Sequence, residues 1–454
     1  MERNNQRQLV EIGLVKAHLI ASVVAFITLL LAGLLFSLQF LYRYPFPTIE
    51  LLSPGRVRMV HTNLAAYGFL LNAFVAGLLW AVPRMTKVPI LSAKLGWFVF
   101  WAWQVILTAT VVGLLAGYAQ AIEWGETPIF VDPFVVVGAI LLVINLITPI
   151  IRCKDKVLYV SLWYFTAGFI WLCLTYLMGN YFPQFFVPGV AGAAIAGLFI
   201  HDLVGLFVTP MGWGLMYYFV PVILKKPIWS HGLSLIGFWA LAFCYPLNGV
   251  HHFLWSPIPM YAQYGAVIST VAVEIVVTTV IVNFFATLWG NSNVLRTSIP
   301  LRWFYTGMIC YFITCLQCSI QVLLTVQEII HFTDWVVGHA HLVMFGVFGF
   351  WIMGFLTYLW PKVVGKPWHS ELLNGWHYWL TTIGMGLMFF DLVAGGLIQG
   401  FLWKNLSPWE NSIASSIPFW AVRAGAGIMI FIGQVIFVYN LWATAWKPVA
   451  EVDR

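Results

Sequence analysis

Long apolar runs separated by short polar gaps constrain the fold of this chain more than any other feature. Only 8% of its 454 residues are charged, against about 25% in soluble domains. A run of about 20 apolar residues is long enough to cross the hydrocarbon core of a bilayer as a helix. The sequence therefore predicts an all-α, polytopic membrane protein.

Twelve runs reach this length, and several exceed it, so we expect tilted spans. The segment before the first run is polar and the run itself is too long for a cleavable signal, so we expect it to remain. No linker divides the chain and no repeat of 20–50 residues is visible, which predicts one domain over residues 1–454. The runs are 17–42, 60–83, 92–117, 132–152, 157–178, 190–223, 231–255, 263–290, 300–326, 336–361, 375–402 and 418–446.

The basic residues predict the orientation, because lysine and arginine accumulate on the cytoplasmic side of membrane proteins. Of the 22, 17 lie at the two termini and in the even-numbered gaps, four lie in the odd-numbered gaps, and Arg423 lies inside the last span. Both termini are therefore predicted to be cytoplasmic, which requires an even number of spans. The net charge of +6 has this topological explanation, and nothing indicates nucleic-acid binding.

Six of the eleven histidines fall in the outer half of the membrane by this topology. Ionisable groups at such a depth are rare and usually functional. A lone membrane histidine is more often a packed, hydrogen-bonded residue than a ligand. Six at one depth, with two close pairs among them, instead indicate metal or heme binding. They are His61, His201, His251, His252, His339 and His341.

The spacing of the two pairs adds chemistry. Residues two apart on a helix point about 200° apart, so His339 and His341 face opposite sides and can each ligate a different heme. The adjacent His251 and His252 point about 100° apart, too divergent for a regular clamp. With a distorted helix end and His201 as a third imidazole, they can surround one metal. Neutral imidazole suits copper, and three such ligands leave a coordination position open.

These histidine motifs resemble, over essentially the whole chain, the catalytic subunit of the heme-copper oxidase superfamily. The likeness is greatest to the C-type oxygen reductases, the high-affinity terminal oxidases linked to cytochrome c. The resemblance implies a low-spin heme b between His61 and His341, and a high-spin, b-type heme on His339. It also implies copper opposite that heme, held by the remaining three histidines, His201, His251 and His252.

Within the superfamily, Gly205 and Tyr245 point to the C-type. Gly205 stands where other oxidase types place a tyrosine and nitric oxide reductases a glutamate. Tyr245 lies six residues before His251, where C-type enzymes carry a tyrosine cross-linked to a copper ligand, here His201. Cleavage of the O–O bond needs four electrons at once, and a phenol can supply one electron and a proton. C-type-like stretches lie at 376–380, 398–403 and 439–442.

Other stretches resemble the cytochrome-c-dependent nitric oxide reductases, which need only two electrons and no tyrosine. One departure concerns both families, because Gln317 stands where each places an active-site glutamate. We therefore keep nitric oxide reduction as an alternative function, and a non-redox transporter as a distant one that the histidine pattern argues against. The reductase-like stretches are 58–64, 251–255 and 423–427.

Further residues have expected roles that rest on the same resemblance. Ser234 and Asn283 match polar positions of the single proton-input path of C-type enzymes. The alternative is that a polar residue such as Ser234 only packs the helices together. Glu274 is expected from its depth in a span, and not from the resemblance, to be a buried carboxyl, either a proton-active group or a neutral helix contact. On the outer side, Glu123 matches a glutamate that helps to bind calcium between heme carboxylates. Arg56 and Arg58 could pair with those carboxylates or contact lipid headgroups.

The expected partner is an external electron donor. No Cys-x-x-Cys-His motif attaches a heme covalently, and the six cysteines mostly lie inside spans. Electrons are therefore expected from a membrane-anchored cytochrome c or cupredoxin subunit. The predicted function is reduction of O2 to water in a prokaryotic inner membrane, with protons drawn from the cytoplasmic side.

Overall fold

All twelve predicted spans are present as helices long and apolar enough to cross a bilayer. The computed structural model of the protein describes residues 9–447, which contain no β-strand. Arg3, Arg7 and Arg454, which contributed to the predicted orientation, lie outside this range. The helices, named α1 to α12, are Ile12–Leu41, Pro54–Thr86, Ala93–Ala116, Asp132–Ile151, Val160–Phe186, Gly189–Leu224, His231–Phe253, Met260–Leu288, Ile299–Gln321, Asp334–Val364, Glu371–Lys404 and Trp409–Trp446.

Helices α2 and α10 lie at the centre of the bundle. In their most apolar stretches of 18 residues, 94% of α2 and 78% of α10 are buried, against 28% of α1. Both helices therefore contact protein on most sides, whereas the peripheral helices present one face to lipid. Three of the six outer histidines lie on these two central helices.

The same turn follows α2, α6 and α10 on the side that we call inner, where the basic residues are concentrated. Each helix contains a proline in its last turn and ends at a residue in the left-handed region, which is Lys87, Lys225 or Gly365. A serine then caps the next helix by accepting a hydrogen bond from a backbone N–H. The three capping serines are Ser92, Ser230 and Ser370.

An asparagine on the helix that follows the capped one, which is α4, α8 or α12, holds each capping serine. Asn283 accepts from the N–H of Ser230 at 3.0 Å and donates to its carbonyl at 2.8 Å. Asn440 makes the same pair with Ser370, at 3.1 and 2.8 Å. Asn145 accepts from the N–H of Ser92 at 2.9 Å. We call these three contacts the Ser–Asn clamps.

The clamps reveal a threefold repeat of four helices. His61, His201 and His341 are spaced 140 residues apart, and each lies in the outer half of the helix that precedes a clamp turn. This period is far longer than the 20–50 residues of the short repeats that the sequence lacks.

A π-helical segment follows the histidine in each of these three helices. The segments are Leu64–Leu70, Leu203–Val208 and Leu342–Gly349. A π turn holds one residue more than the α-helix allows and is frequently found at functional sites. It rotates the histidine-bearing outer half relative to the inner half of the same helix.

Candidate metal and heme centre

Three histidines from two helices converge at the outer end of the bundle. His201 comes from α6, while His251 and His252 come from the last part of α7, which is wound as a 3₁₀ helix over Tyr245–Phe253. One ligand atom from each imidazole lies within 4.8 Å of the others. Nδ1 of His201 is 3.0 Å from Nε2 of His252. The distortion expected at this helix end is present, and the cluster has the donor set and spacing for one metal ion.

The orientation of His251 is set by a neighbour on α8. Nδ1 of His251 is 2.8 Å from the hydroxyl oxygen of Thr270, and that hydroxyl donates its proton to the carbonyl of Ala266 at 2.7 Å. The hydroxyl oxygen is therefore available to accept from Nδ1–H, which leaves Nε2 as the nitrogen that can bind a metal. Sequence reasoning missed Thr270; its only signal is a polar residue at the same depth.

Tyr245 packs directly against the cluster. Its ring lies parallel to that of His201, with centroids 4.8 Å apart and planes 9° apart. A Cβ atom on Gly205 would lie 1.5 Å from the tyrosine ring carbon Cε1, so only glycine fits there. The two residues that pointed to the C-type are thus linked sterically, because the missing side chain of Gly205 makes room for the phenol.

His61 of α2 and His341 of α10 face each other across a gap. Their ring centroids are 6.2 Å apart and their planes differ by 29°. Nδ1 of each ring lies against a backbone carbonyl, of Leu29 at 2.7 Å and of Val337 at 2.8 Å. Carbonyls only accept, so both Nε2 atoms remain free as ligands. With metal–nitrogen distances of about 2 Å, two imidazoles on opposite sides of one iron have centroids about 6 Å apart, so the pair fits a heme.

His339 points away from His341, as its spacing predicted. Its Nδ1 is 3.0 Å from the amide oxygen of Gln317, and its ring stacks on Trp335 at 5.8 Å. Because the amide oxygen accepts from Nδ1–H, Nε2 is the unprotonated nitrogen, and the Gln321 side-chain amide donates to it at 3.2 Å. A metal at His339 would take the place of that hydrogen bond. Gln317, the departure from the expected glutamate, is therefore a neutral acceptor in direct contact with the predicted heme ligand.

The residues expected along the proton path lie on the inner side. Ser234 is fully buried and donates to the carbonyl of His231 at 2.7 Å. Asn283 is occupied by its clamp to Ser230. Within residues 9–447, no hydrogen bond joins Ser234 or Asn283 to Tyr245. At mid-membrane depth, Glu274 accepts a hydrogen bond from the Ser319 hydroxyl.

On the outer side, Glu126, three residues after the predicted Glu123, is a buried carboxylate. Glu123 is exposed, whereas Glu126 is 3% exposed and accepts from Nδ2 of Asn63 at 2.9 Å. Burial raises the pKa of Glu126, and the hydrogen bond from Asn63 and the charge of Arg58 oppose that rise. The sequence does not show which of these two glutamates is buried, because their burial depends on the packing of α2.

The two predicted outer arginines are engaged in different ways. Arg56 pairs with Glu50 at 2.6 Å and donates to the carbonyl of Leu115 at 2.9 Å. Arg58 is 44% exposed, with its nearest guanidinium nitrogen 3.9 Å from Glu126.

Comparison with known proteins gives one consistent family. The family model described as "Cytochrome C and Quinol oxidase polypeptide I" matches residues 13–429. Cytochrome c oxidase subunit 1 of Rhodobacter capsulatus is 28% identical over 96% of this chain and 86% of that protein. The cbb3-type cytochrome c oxidase subunit CcoN1 of Stutzerimonas stutzeri is 29% identical over 90% of each chain.

Two further proteins, one curated relative and one solved structure, are similar to this chain at lower sequence identity. A nitric oxide reductase subunit of Stutzerimonas stutzeri is 23% identical over 96% of this chain and 95% of that protein. A solved heme-copper terminal oxidase dimer has a TM-score of 0.77 at 16% identity, covering 96% of this chain and 84% of that chain. At this identity, the solved structure bears on the fold alone.

Proposed function

Because the chain belongs to the cytochrome c and quinol oxidase polypeptide I family, we propose that it reduces dioxygen to water at a high-spin heme and a copper ion. It is a heme-copper oxidoreductase and a multi-pass membrane protein, and members of its family bind hemes and copper. When bound, these groups supply the electron transfer and the redox chemistry of dioxygen. The substrate, the electron donor and the residue roles below are our proposals.

The observation that carries the choice of dioxygen is the parallel stacking of Tyr245 on His201, one of the three clustered histidines. A phenol in this position can supply the fourth electron and its proton, because it lies against a copper-ligand imidazole. In the proposed site, His201, His251 and His252 hold the copper and His339 holds the high-spin heme, while His61 and His341 hold a low-spin heme b.

Protons are proposed to enter from the cytoplasmic side, through the inner end of α7 and α8. Ser234 and Asn283 lie at that end and Tyr245 at the other end of the same helix pair. Glu274 is proposed as a proton-active carboxyl, because its partner Ser319 is next to Cys318, whose Sγ is 3.8 Å from Nε2 of His339.

The proposed electron donor acts on the outer side of the membrane. Subunits of this family work with other subunits, and we propose a membrane-anchored cytochrome c or cupredoxin as the electron donor at a prokaryotic inner membrane. Calcium is proposed near Glu123, and Arg56 and Arg58 are proposed to pair with the heme carboxylates. The buried carboxylate of Glu126 supports this outer region as a place for a cation.

Nitric oxide reduction remains a second candidate, because a nitric oxide reductase subunit is similar to this chain over 96% of its length. Gln317 does not separate the two functions, since a carboxyl is expected at its position in both families. The deciding experiment compares turnover of the purified complex with O2 and with NO, using one electron donor. We expect O2 turnover to exceed NO turnover, with about one copper per chain by metal analysis. NO turnover far above O2 turnover, or iron without copper, would assign the chain to the nitric oxide reductases.

A further inference from the structure

The hydrogen-bond acceptors around the proposed ligand histidines are electrically neutral. The two histidines of the proposed low-spin heme face backbone carbonyls, and His251 faces the hydroxyl of Thr270. His339 differs, because its acceptor is a side-chain amide, that of Gln317 at 3.0 Å. Within residues 9–447, no carboxylate forms an ion pair with any of the six histidines. The charge of the acceptor at His339 can therefore be changed by one side-chain substitution.

Two glutamines of α9 determine which nitrogen of His339 carries the proton. The amide oxygen of Gln317 only accepts, so the Nδ1 atom that faces it is protonated. The amide nitrogen of Gln321 only donates, and it lies 3.2 Å from Nε2, which is therefore unprotonated. Both contacts require the same tautomer. A metal on Nε2 replaces the contact with Gln321 and leaves the contact with Gln317 in place.

The plane of the His339 ring has a second support that does not involve Gln317. Trp335, one turn earlier on α10, stacks on the imidazole with centroids 5.8 Å apart and planes 10° apart. Because this stacking holds one face of the ring, removal of the amide changes the electron density of the imidazole more than its position. The specific contribution of Gln317 is thus the hydrogen bond to Nδ1–H.

We infer that Gln317 keeps the reduction potential of the high-spin heme high by accepting the Nδ1 proton of His339 without a negative charge. Gln317 is a positioning residue, since it acts through His339 and not on the metal. The inference rests on the proposed ligation of that heme by His339.

The direction follows from electrostatics. A carboxylate, the group expected at position 317 from the resemblance, would draw the Nδ1 proton and make the imidazole more negative. A more negative ligand favours the oxidised iron, which carries one positive charge more, and so lowers the potential. An amide makes the same hydrogen bond without that charge. The reduced iron, the form of a heme that binds dioxygen, is then reached at a higher potential.

The test is a spectroelectrochemical titration of the high-spin heme in the complete purified complex. We expect Gln317→Glu, which keeps the size of the side chain, to shift the ratio of reduced to oxidised heme toward oxidised by about tenfold at fixed ambient potential. This is about 59 mV for a one-electron couple. Gln317→Leu removes the acceptor and should shift the ratio in the opposite direction, by less. Gln104→Glu makes the same change on α3, where Gln104 donates to Asn72 at 3.1 Å, and should leave the high-spin heme unchanged.

A second measurement reports on the bond between iron and His339. In resonance Raman spectra of the reduced complex, the iron–histidine stretching band should move to higher frequency in Gln317→Glu, because a more negative imidazole binds iron more strongly. The same band should move to lower frequency in Gln317→Leu, since the imidazole then lacks its acceptor. The opposite signs separate a hydrogen-bonding role from a general loosening of the site.

An unchanged iron–histidine band in Gln317→Leu would overturn the inference, as would a shift of the potential in the same direction in the Glu and Leu variants. A carboxyl that stays protonated in Gln317→Glu would leave the potential unchanged, and the Leu variant then decides the question. If Gln317→Leu does not assemble, Gln317→Asn replaces it, because its amide is one carbon too short to reach Nδ1.

The proposed function fails in a different way. A wild-type complex without a high-spin heme, or one that keeps the iron–histidine band in His339→Ala, would refute the ligation on which the inference rests. An intact band in the wild type with no response to the variants of Gln317 would refute the inference alone.

Discussion

The outer and inner halves of α2, α6 and α10 differ in how they use the threefold repeat. At the inner ends, the three Ser–Asn clamps have nearly the same geometry, with N–H to Oδ1 distances of 2.9, 3.0 and 3.1 Å. In the outer halves, the three equivalent histidines have different surroundings. His201 joins a cluster of three imidazoles, whereas His61 and His341 face each other. The repeat thus preserves a packing device on one side and carries different chemistry on the other.

The comparison predicts the largest effects for the outer histidine cluster. His251→Ala or His252→Ala should remove the copper, about one ion per chain, and reduce O2 turnover to background, because two imidazoles do not replace three. His231→Ala changes a histidine at the inner start of the same helix and should keep both the copper and the O2 turnover. Metal analysis together with oxygen uptake checks this. Copper retained in both outer variants would mean that the cluster is only a packed core.

Tyr245→Phe should abolish O2 reduction while hemes and copper remain, because the phenol supplies an electron and a proton but no metal bond. Any NO reduction should continue. Tyr164→Phe is the matched control, since this buried tyrosine donates to the Ser234 carbonyl at 3.4 Å, away from the cluster. Mass spectrometry of the native protein should show Tyr245 joined to His201. Full oxygen turnover in the Phe variant would favour nitric oxide as the substrate.

The contribution of the inner ends to stability is tested by removing each Ser–Asn clamp in turn. Asn145→Ala, Asn283→Ala and Asn440→Ala should each lower the free energy of unfolding by about 1–3 kcal/mol, because buried backbone groups lose their partners. Thermal unfolding and O2 turnover should be measured on the same samples. Similar losses of stability would make Asn283 a scaffold residue like its two counterparts. A turnover defect confined to Asn283→Ala, at unchanged stability, would instead support its place in the proton path.

The smallest expected effect is on the pH dependence of stability, and it concerns Glu126 on the outer side. Because burial raises the pKa of this carboxyl in the folded protein, the fold favours its protonated form. That stabilisation is present at low pH and is lost as the pH rises through the raised pKa. Glu126→Gln should remove this dependence of stability on pH, because an amide does not titrate. Glu123→Gln should keep it. Melting temperatures across that pH range, identical in wild type and Glu126→Gln, would contradict the prediction.

The twelve spans could be predicted because each is a local property of the sequence. Apolar length alone marks a membrane helix, and the structure has all twelve, with α11 and α12 extended to 34 and 38 residues. The grouping of the outer histidines followed from the same topology and helical spacing. The fold class therefore required no knowledge of tertiary contacts.

The remaining features depend on contacts between distant parts of the chain. The clamp between Ser370 and Asn440 joins residues 70 positions apart, and no local pattern identifies that pair. Glu126 differs from Glu123 only in what α2 places against it. Arg423 of α12 lies over Phe40 of α1 and 3.9 Å from Asp334 of α10, so the sequence could place this residue inside a span without indicating its contacts.

The π-helical segments of α2, α6 and α10 have a consequence for how such a chain can change over time. Each segment joins a histidine-bearing outer part to an inner scaffold part of one continuous helix. A mutation that rotates the outer part can redirect its histidine. The inner part then keeps its register, and the Ser–Asn clamps still form. Relatives named as a cytochrome c oxidase subunit and as a nitric oxide reductase subunit both match this chain over most of its length. A helix jointed in this way allows the chemistry to diverge without the bundle having to be rebuilt.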